Sequence, residues 1–100
     1  KVLEEGDGEI PTASDTVETH YEGTLINGEV FDSSIQRGQT VSFPVSGVIK
    51  GWQEALQLMS VGSKWEVYIP FNLAYGEAGS PPKIGPFSAL VFQVELIKIV

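Results

Sequence analysis

Val45-Ser-Gly-Val-Ile-Lys-Gly-Trp52-Gln-Glu-Ala-Leu-Gln-Leu-Met59 is the one stretch of this chain with convincing helical periodicity. Trp52, Ala55, Leu56 and Met59 stand at i, i+3, i+4 and i+7, and so share one face of a short helix. Gly47 and Gly51 loosen the chain ahead of that face, and the apolar pair Val48-Ile49 lies between them. Outside this segment the pattern is strand and loop, so a single helix has to cover a sheet. A tryptophan at the start of that helix, behind an apolar pair, reads as the floor and lip of a ligand pocket.

The flanking segments supply the sheet. Lys1–Gly6 reads as an edge strand. In Asp15–Ile26, Val17, Thr19, Tyr21, Gly23 and Leu25 fall on one face, with Glu18, His20, Glu22 and Thr24 on the other. Asn27-Gly28 signals a two-residue hairpin turn with positive φ at both positions, returning through Glu29–Asp32. Ser33–Gly38 reads as an irregular loop and Gln39–Pro44 as a strand. After the helix, Gly62 is placed to end the helical region in the left-handed conformation. Trp65, Val67 and Ile69 alternate inward along Lys64–Pro70, as do Leu90, Phe92, Val94 and Leu96 along Ser88–Val100. Between those strands, Asn72–Pro86 is a long Gly/Pro-punctuated loop, of the kind that carries function. The fold class is α+β: five or six antiparallel strands with one short helix laid across them.

Composition narrows the function. One hundred residues make one domain, and 42% hydrophobic residues with 10% aromatics are enough to bury a core. The net charge of −7 comes with six isolated basic residues and no basic cluster, which speaks against nucleic acid or an anionic membrane surface as the main partner. Without cysteine there is no disulfide, thiolate nucleophile or thiolate metal site. No apolar run approaches the roughly 20 residues that span a bilayer, so this domain is expected to make no membrane contact. Beginning at Lys1 without an initiator methionine or signal peptide, residues 1–100 read as one domain of a longer protein.

Catalytic motifs are sparse. His20 is the only histidine, and on the polar face of a strand it reads as solvent-exposed; Ser-His-Asp chemistry would require it to meet a serine. No phosphate loop is present and no metal or cofactor is expected. Asp32 follows Phe31 at a strand end, five residues before the only arginine, Arg37. That spacing allows either a charge-assisted pair or an ordinary surface ion pair. Tyr21, Phe31, Phe43, Trp52, Tyr75 and Phe92 form a large aromatic supply. If several converge on one cleft they would make a small-ligand pocket.

Four stretches in order carry a family resemblance: Val30-Phe-Asp-Ser-Ser34, Val48-Ile-Lys-Gly-Trp-Gln-Glu-Ala55, Leu73-Ala-Tyr-Gly-Glu77 and Leu90-Val-Phe-Gln-Val-Glu-Leu96. Together they resemble the FKBP peptidyl-prolyl cis-trans isomerases, the rapamycin-binding immunophilins, over essentially the whole chain. Glu54–Met59 and Ile84-Gly-Pro86 are most similar to the bacterial branch that contains the macrophage infectivity potentiator (Mip) proteins.

The resemblance implies a half-barrel of antiparallel sheet around the short helix, and isomerase activity on X-Pro bonds without cofactor or metal. The implied substrate is a proline-containing peptide or unfolded protein, with macrolide inhibitors as competing ligands; a non-enzymatic module that holds proline-bearing segments is the alternative. Tyr21, Asp32 and Tyr75 take the catalytic positions. Phe31, Arg37, Val48, Ile49, Trp52, Ile84 and Phe92 take the substrate-binding ones, with Trp52 as floor and the Ile49 N–H and Tyr75 hydroxyl as donors to the peptide. On this reading Trp52→Ala weakens binding more than folding. The Mip-like features also imply a parent protein that dimerises through an N-terminal region outside residues 1–100. They favour a periplasmic, outer-membrane-associated or secreted location over the cytoplasm.

Overall fold

Alternation of apolar and polar side chains along Thr16–Leu25 and Leu90–Ile99 makes these two ten-residue segments the backbone of the fold. The computed structural model describes residues 1–100. In chain order its elements are β1 (Val2–Glu4), β2 (Thr16–Leu25), β3 (Val30–Ser33), α1 (Ser34–Arg37), β4 (Val41–Pro44), α2 (Lys50–Leu56), β5 (Lys64–Ile69) and β6 (Leu90–Ile99). Short 3-10 turns at Val45–Gly47 and Phe71–Leu73 lead into α2 and into the long loop.

All strand pairs are antiparallel, in the order β1-β5-β6-β2-β3. The far edge of β2 is shared. Its first half, Thr16–Thr19, pairs with β4, and Glu22–Thr24 pairs with β3. Inward residues of β2 (Val17, Thr19, Tyr21) and of β6 (Leu90, Phe92, Val94, Leu96) are buried together with Trp52, Leu56 and Met59 of the helical segment. The period-3.6 stripe of α2 therefore packs on the period-2 face of the sheet, which places Trp52 against β2, β4 and β6 through its ring contacts.

Three local expectations change. The Asn27-Gly28 turn has positive φ only at Gly28 (+91°), not at both residues. Gly28 N–H donates to Leu25 O, Leu25 N–H donates to Glu29 O, and the Asn27 side chain accepts from Glu29 N–H. The loop is thus one residue longer than a two-residue hairpin, with glycine supplying the left-handed step. Ser33–Gly38 is not irregular throughout. Ser33 caps one helical turn, its hydroxyl accepting from Gln36 N–H, and Gly38 closes it at φ +72°. Finally, α2 ends at Leu56 with Gln57 in right-handed geometry; Gly62 (φ +96°) turns the chain toward β5 and does not cap the helix.

Candidate functional site

Six aromatic rings converge where α2 meets the inner face of the sheet. Trp52, 5% exposed, is met edge-on by Tyr21 at 5.3 Å, Phe43 at 5.5 Å and Phe92 at 5.3 Å. Phe92 in turn meets Phe31 at 5.5 Å and 88°. Gly23 makes this possible: a Cβ there would come within 2.6 Å of Phe31 and 2.7 Å of Phe92. Above Trp52 these rings, with Tyr75, Val48 and Ile49, enclose a cleft of about 290 Å³, with Asp32 as its one ionisable acid. The cleft combines an apolar lining with a few polar groups, the usual composition of a small-ligand site.

The polar rim is a hydrogen-bonded trio. The Tyr21 hydroxyl donates to Asp32 Oδ2 at 2.6 Å, one Arg37 nitrogen donates to Asp32 Oδ1, and the other donates to the Tyr21 hydroxyl at 3.1 Å. Strand β2 brings Tyr21, β3 brings Asp32, and the single turn α1 swings Arg37 back onto both. Burial pushes the Asp32 carboxyl up, but the Tyr21 and Arg37 bonds outweigh it and hold the group below the usual carboxylate value. Burial, then the bond to Asp32, pushes the Tyr21 phenol up, so at neutral pH the trio is carboxylate, phenol and guanidinium.

The lip owes its geometry to a residue the sequence reading passed over. Gln53 Nε2 donates to Val48 O at 2.7 Å. Because the Val48–Ile49 peptide is planar, pinning its carbonyl also fixes the direction of the Ile49 N–H. That N–H has no acceptor within the chain, whereas Ile49 O receives Trp52 N–H and Gln53 N–H at the start of α2. On the opposite wall, Lys83 Nζ donates to Phe31 O at 3.1 Å, tying the long loop to β3.

Of the expected site residues, the structure places Tyr21, Phe31, Asp32, Val48, Ile49, Trp52, Tyr75 and Phe92 around one cleft. Arg37 stands behind Asp32, not in the lining. Ile84 differs from expectation. It is 4% exposed and belongs to the core, drawn in by reciprocal backbone bonds with Ser80 at 2.8 and 3.0 Å, and it does not line the cleft. Phe43 and Gly47 line it although neither was assigned. For Phe43 the alternation with Val41 was a usable signal.

His20 also departs from the solvent-exposed expectation. It is half-buried, with Nδ1 2.9 Å from Ser34 Oγ. The histidine does meet a serine, yet Ser34 is fully buried and also accepts from Tyr21 N–H at 2.7 Å. A hydroxyl sealed from substrate cannot serve as a nucleophile, so the contact braces β2 against α1.

Comparison with known proteins agrees with the geometry. The family model for FKBP-type peptidyl-prolyl cis-trans isomerases matches residues 8–97. The chain is 59% identical to the FKBP-type 22 kDa peptidyl-prolyl cis-trans isomerase of Escherichia coli (strain K12), over 99% of this chain and 48% of that protein. It is 50% identical to the outer membrane protein MIP of Legionella longbeachae, over 99% of this chain and 42% of the relative. The crystal structure of FkpA from Escherichia coli superposes with a TM-score of 0.94 at 50% identity, covering 99% of this chain and 46% of that one. The chain thus spans about half the length of the relatives it matches.

Proposed function

Because this chain belongs to the family of FKBP-type peptidyl-prolyl cis-trans isomerases, we propose that its aromatic cleft binds the proline of an X-Pro segment and speeds rotation about the preceding peptide bond. The observation that carries this reading is the cleft itself: an apolar, aromatic-walled space whose polar groups lie at the rim. The barrier to be lowered is about 18–20 kcal/mol and arises from amide resonance. A planar amide is charge-separated, whereas the twisted amide of the transition state has lost much of that polarity. Water stabilises the first more than the second. A dry pocket removes that bias and thereby favours the twisted form relative to the ground state.

The rim groups then have distinct work. Tyr75, 40% exposed, and the unpaired Ile49 N–H donate to carbonyls of the bound peptide and fix its direction. Phe31, Trp52 and Phe92 hold the prolyl ring. Asp32 accepts from Tyr21 and Arg37, so its main role is to hold the Tyr21 ring against Trp52. No proton transfer or covalent step enters, since no bond is made or broken.

A macrolide of the rapamycin type is proposed as a competitor for the same cleft, on the family resemblance. The larger size of the relatives supports reading residues 1–100 as one domain of a longer protein. Likeness to an outer membrane protein MIP supports a location in the bacterial envelope.

The test is a protease-coupled isomerisation assay on a short X-Pro peptide, with Asp32→Ala and Tyr75→Phe as variants. Both should lose activity while keeping the wild-type circular dichroism spectrum. Full activity in both sinks the assigned roles. Wild-type peptide binding without turnover would instead mark a holding module.

A further inference from the structure

The loop between β5 and β6 carries two phenylalanines that the cleft does not use. Phe71 and Phe87 are 39% and 59% exposed, yet their rings meet edge-on at 5.3 Å and 76°. Phe87 is also the one non-glycine residue with positive φ, at 56°. A bulky residue avoids this region because its Cβ crowds the backbone, so the conformation persists only where other contacts hold it.

Those contacts converge on Tyr75. Gly76 N–H donates to Phe71 O at 2.9 Å, and Phe87 N–H donates to Gly76 O at 3.0 Å. The two peptide units that flank Gly76 are therefore each held: the Tyr75–Gly76 unit by the backbone of Phe71, and the Gly76–Glu77 unit by that of Phe87. The two rings close the arrangement outside. Gly79 N–H adds a third tie, to Tyr75 O at 3.2 Å.

We propose that the Phe71–Phe87 ring pair is a clasp that positions Tyr75, making both phenylalanines positioning residues for peptide binding at the cleft. The inference rests on the isomerase reading above for its kinetic consequence, though not for its geometry. Opening the clasp frees the Tyr75 segment, and the hydroxyl then loses its fixed place at the rim. Because Tyr75 binds peptide and does no chemistry, the loss falls on KM more than on kcat.

The test is a double-mutant cycle. Phe87→Ala, Phe71→Ala and Phe87→Gly are made in both the Tyr75 and the Tyr75→Phe backgrounds, with Phe87→Tyr as the ring-preserving control. Phe87→Gly removes the ring and the positive-φ strain together, which separates positioning from loss of stability. Each ring deletion is expected to lower kcat/KM on the order of three- to tenfold through KM. Phe87→Tyr should restore it, and no further loss should occur when Tyr75→Phe is already present. Equal losses in the two backgrounds, or unchanged kcat/KM in Phe87→Gly, overturn the proposal.

A second readout is independent of turnover. In ¹³C-tyrosine-labelled protein, the Tyr75 ring signal should shift or broaden in Phe87→Ala while the Tyr21 signal stays. An unmoved Tyr75 signal overturns the clasp even if activity changes. Absence of turnover in the wild type would overturn the isomerase reading and leave this signal to decide the clasp.

Discussion

Replacing Trp52 by alanine separates two roles that one side chain holds at once. The sequence alone favours a ligand floor, whose loss weakens binding more than folding. The structure adds a second role: the indole is 5% exposed and meets three other rings edge-on. Deleting a buried Trp or Phe side chain costs about 3–5 kcal/mol once the cavity is included. The total stability of such a domain is about 5–15 kcal/mol. At roughly 4–8 °C per kcal/mol for this size, Trp52→Ala should lower Tm by at least about 12 °C. Binding should fail as well, because Tyr21 and Phe92 lose the surface they lean on. Thermal unfolding by circular dichroism gives the first number, and peptide KM measured well below the variant's Tm gives the second. Trp52→Phe keeps an aromatic partner and should lie between wild type and alanine in both. A Tm within about 4 °C of wild type, which corresponds to 1 kcal/mol or less, would refute the core role.

Three further outcomes follow from the site and its supports. Asp32 has a lowered pKa, so its contribution to stability is present above the unfolded value near 4 and is lost as pH falls through the lower folded value. Asp32→Asn should therefore flatten the acid side of a Tm-against-pH curve below about pH 4, by no more than about 1 kcal/mol because the ion pair is half-exposed; an unchanged acid limb would count against the trio. Lys83→Met removes the donor to Phe31 O and should speed amide exchange at Ser80 and Ile84 with little change in Tm, whereas unaltered protection would mean the loop is held without it. Gly28→Ala forces a Cβ into φ +91° with open space around it, so its cost is purely conformational, about 1–2 kcal/mol by urea unfolding; no loss would contradict the turn geometry.

The parts of the fold that read correctly are those with a long period. Ten alternating residues in Thr16–Leu25 and again in Leu90–Ile99 leave little freedom, and the Trp52–Met59 stripe has one partner face to find. What escaped is short or made by contacts between distant segments. Ser34–Arg37 is a single turn, too brief for any periodicity to declare it. The Asn27-Gly28 pair signalled a turn correctly, but whether one or two residues take positive φ depends on the register shift between Gly23 and Thr24. Ile84 takes a wall position on the family resemblance alone; the Ser80 bridge that draws it against the core has no sequence signature. His20 meeting Ser34 likewise depends on where α1 docks on β2. Gln53 is a polar residue on a helix, ordinary until its amide reaches the Val48 carbonyl.

The pairing of β2 with β6 bears on how the molecule comes into being. Tyr21 of β2 lies opposite Val94 of β6, and Val17 lies opposite Ile99. Phe92, a wall of the cleft, belongs to the same late strand. On the ribosome, the middle of the sheet therefore stays open until Leu90–Ile99 has been synthesised, and no shorter nascent chain holds the complete pocket. Such distant pairing also slows folding, because the ends of a long loop must meet before any contact repays the lost entropy. The site that would act on proline bonds in other chains thus forms only once β2 and β6 of its own domain have both been made.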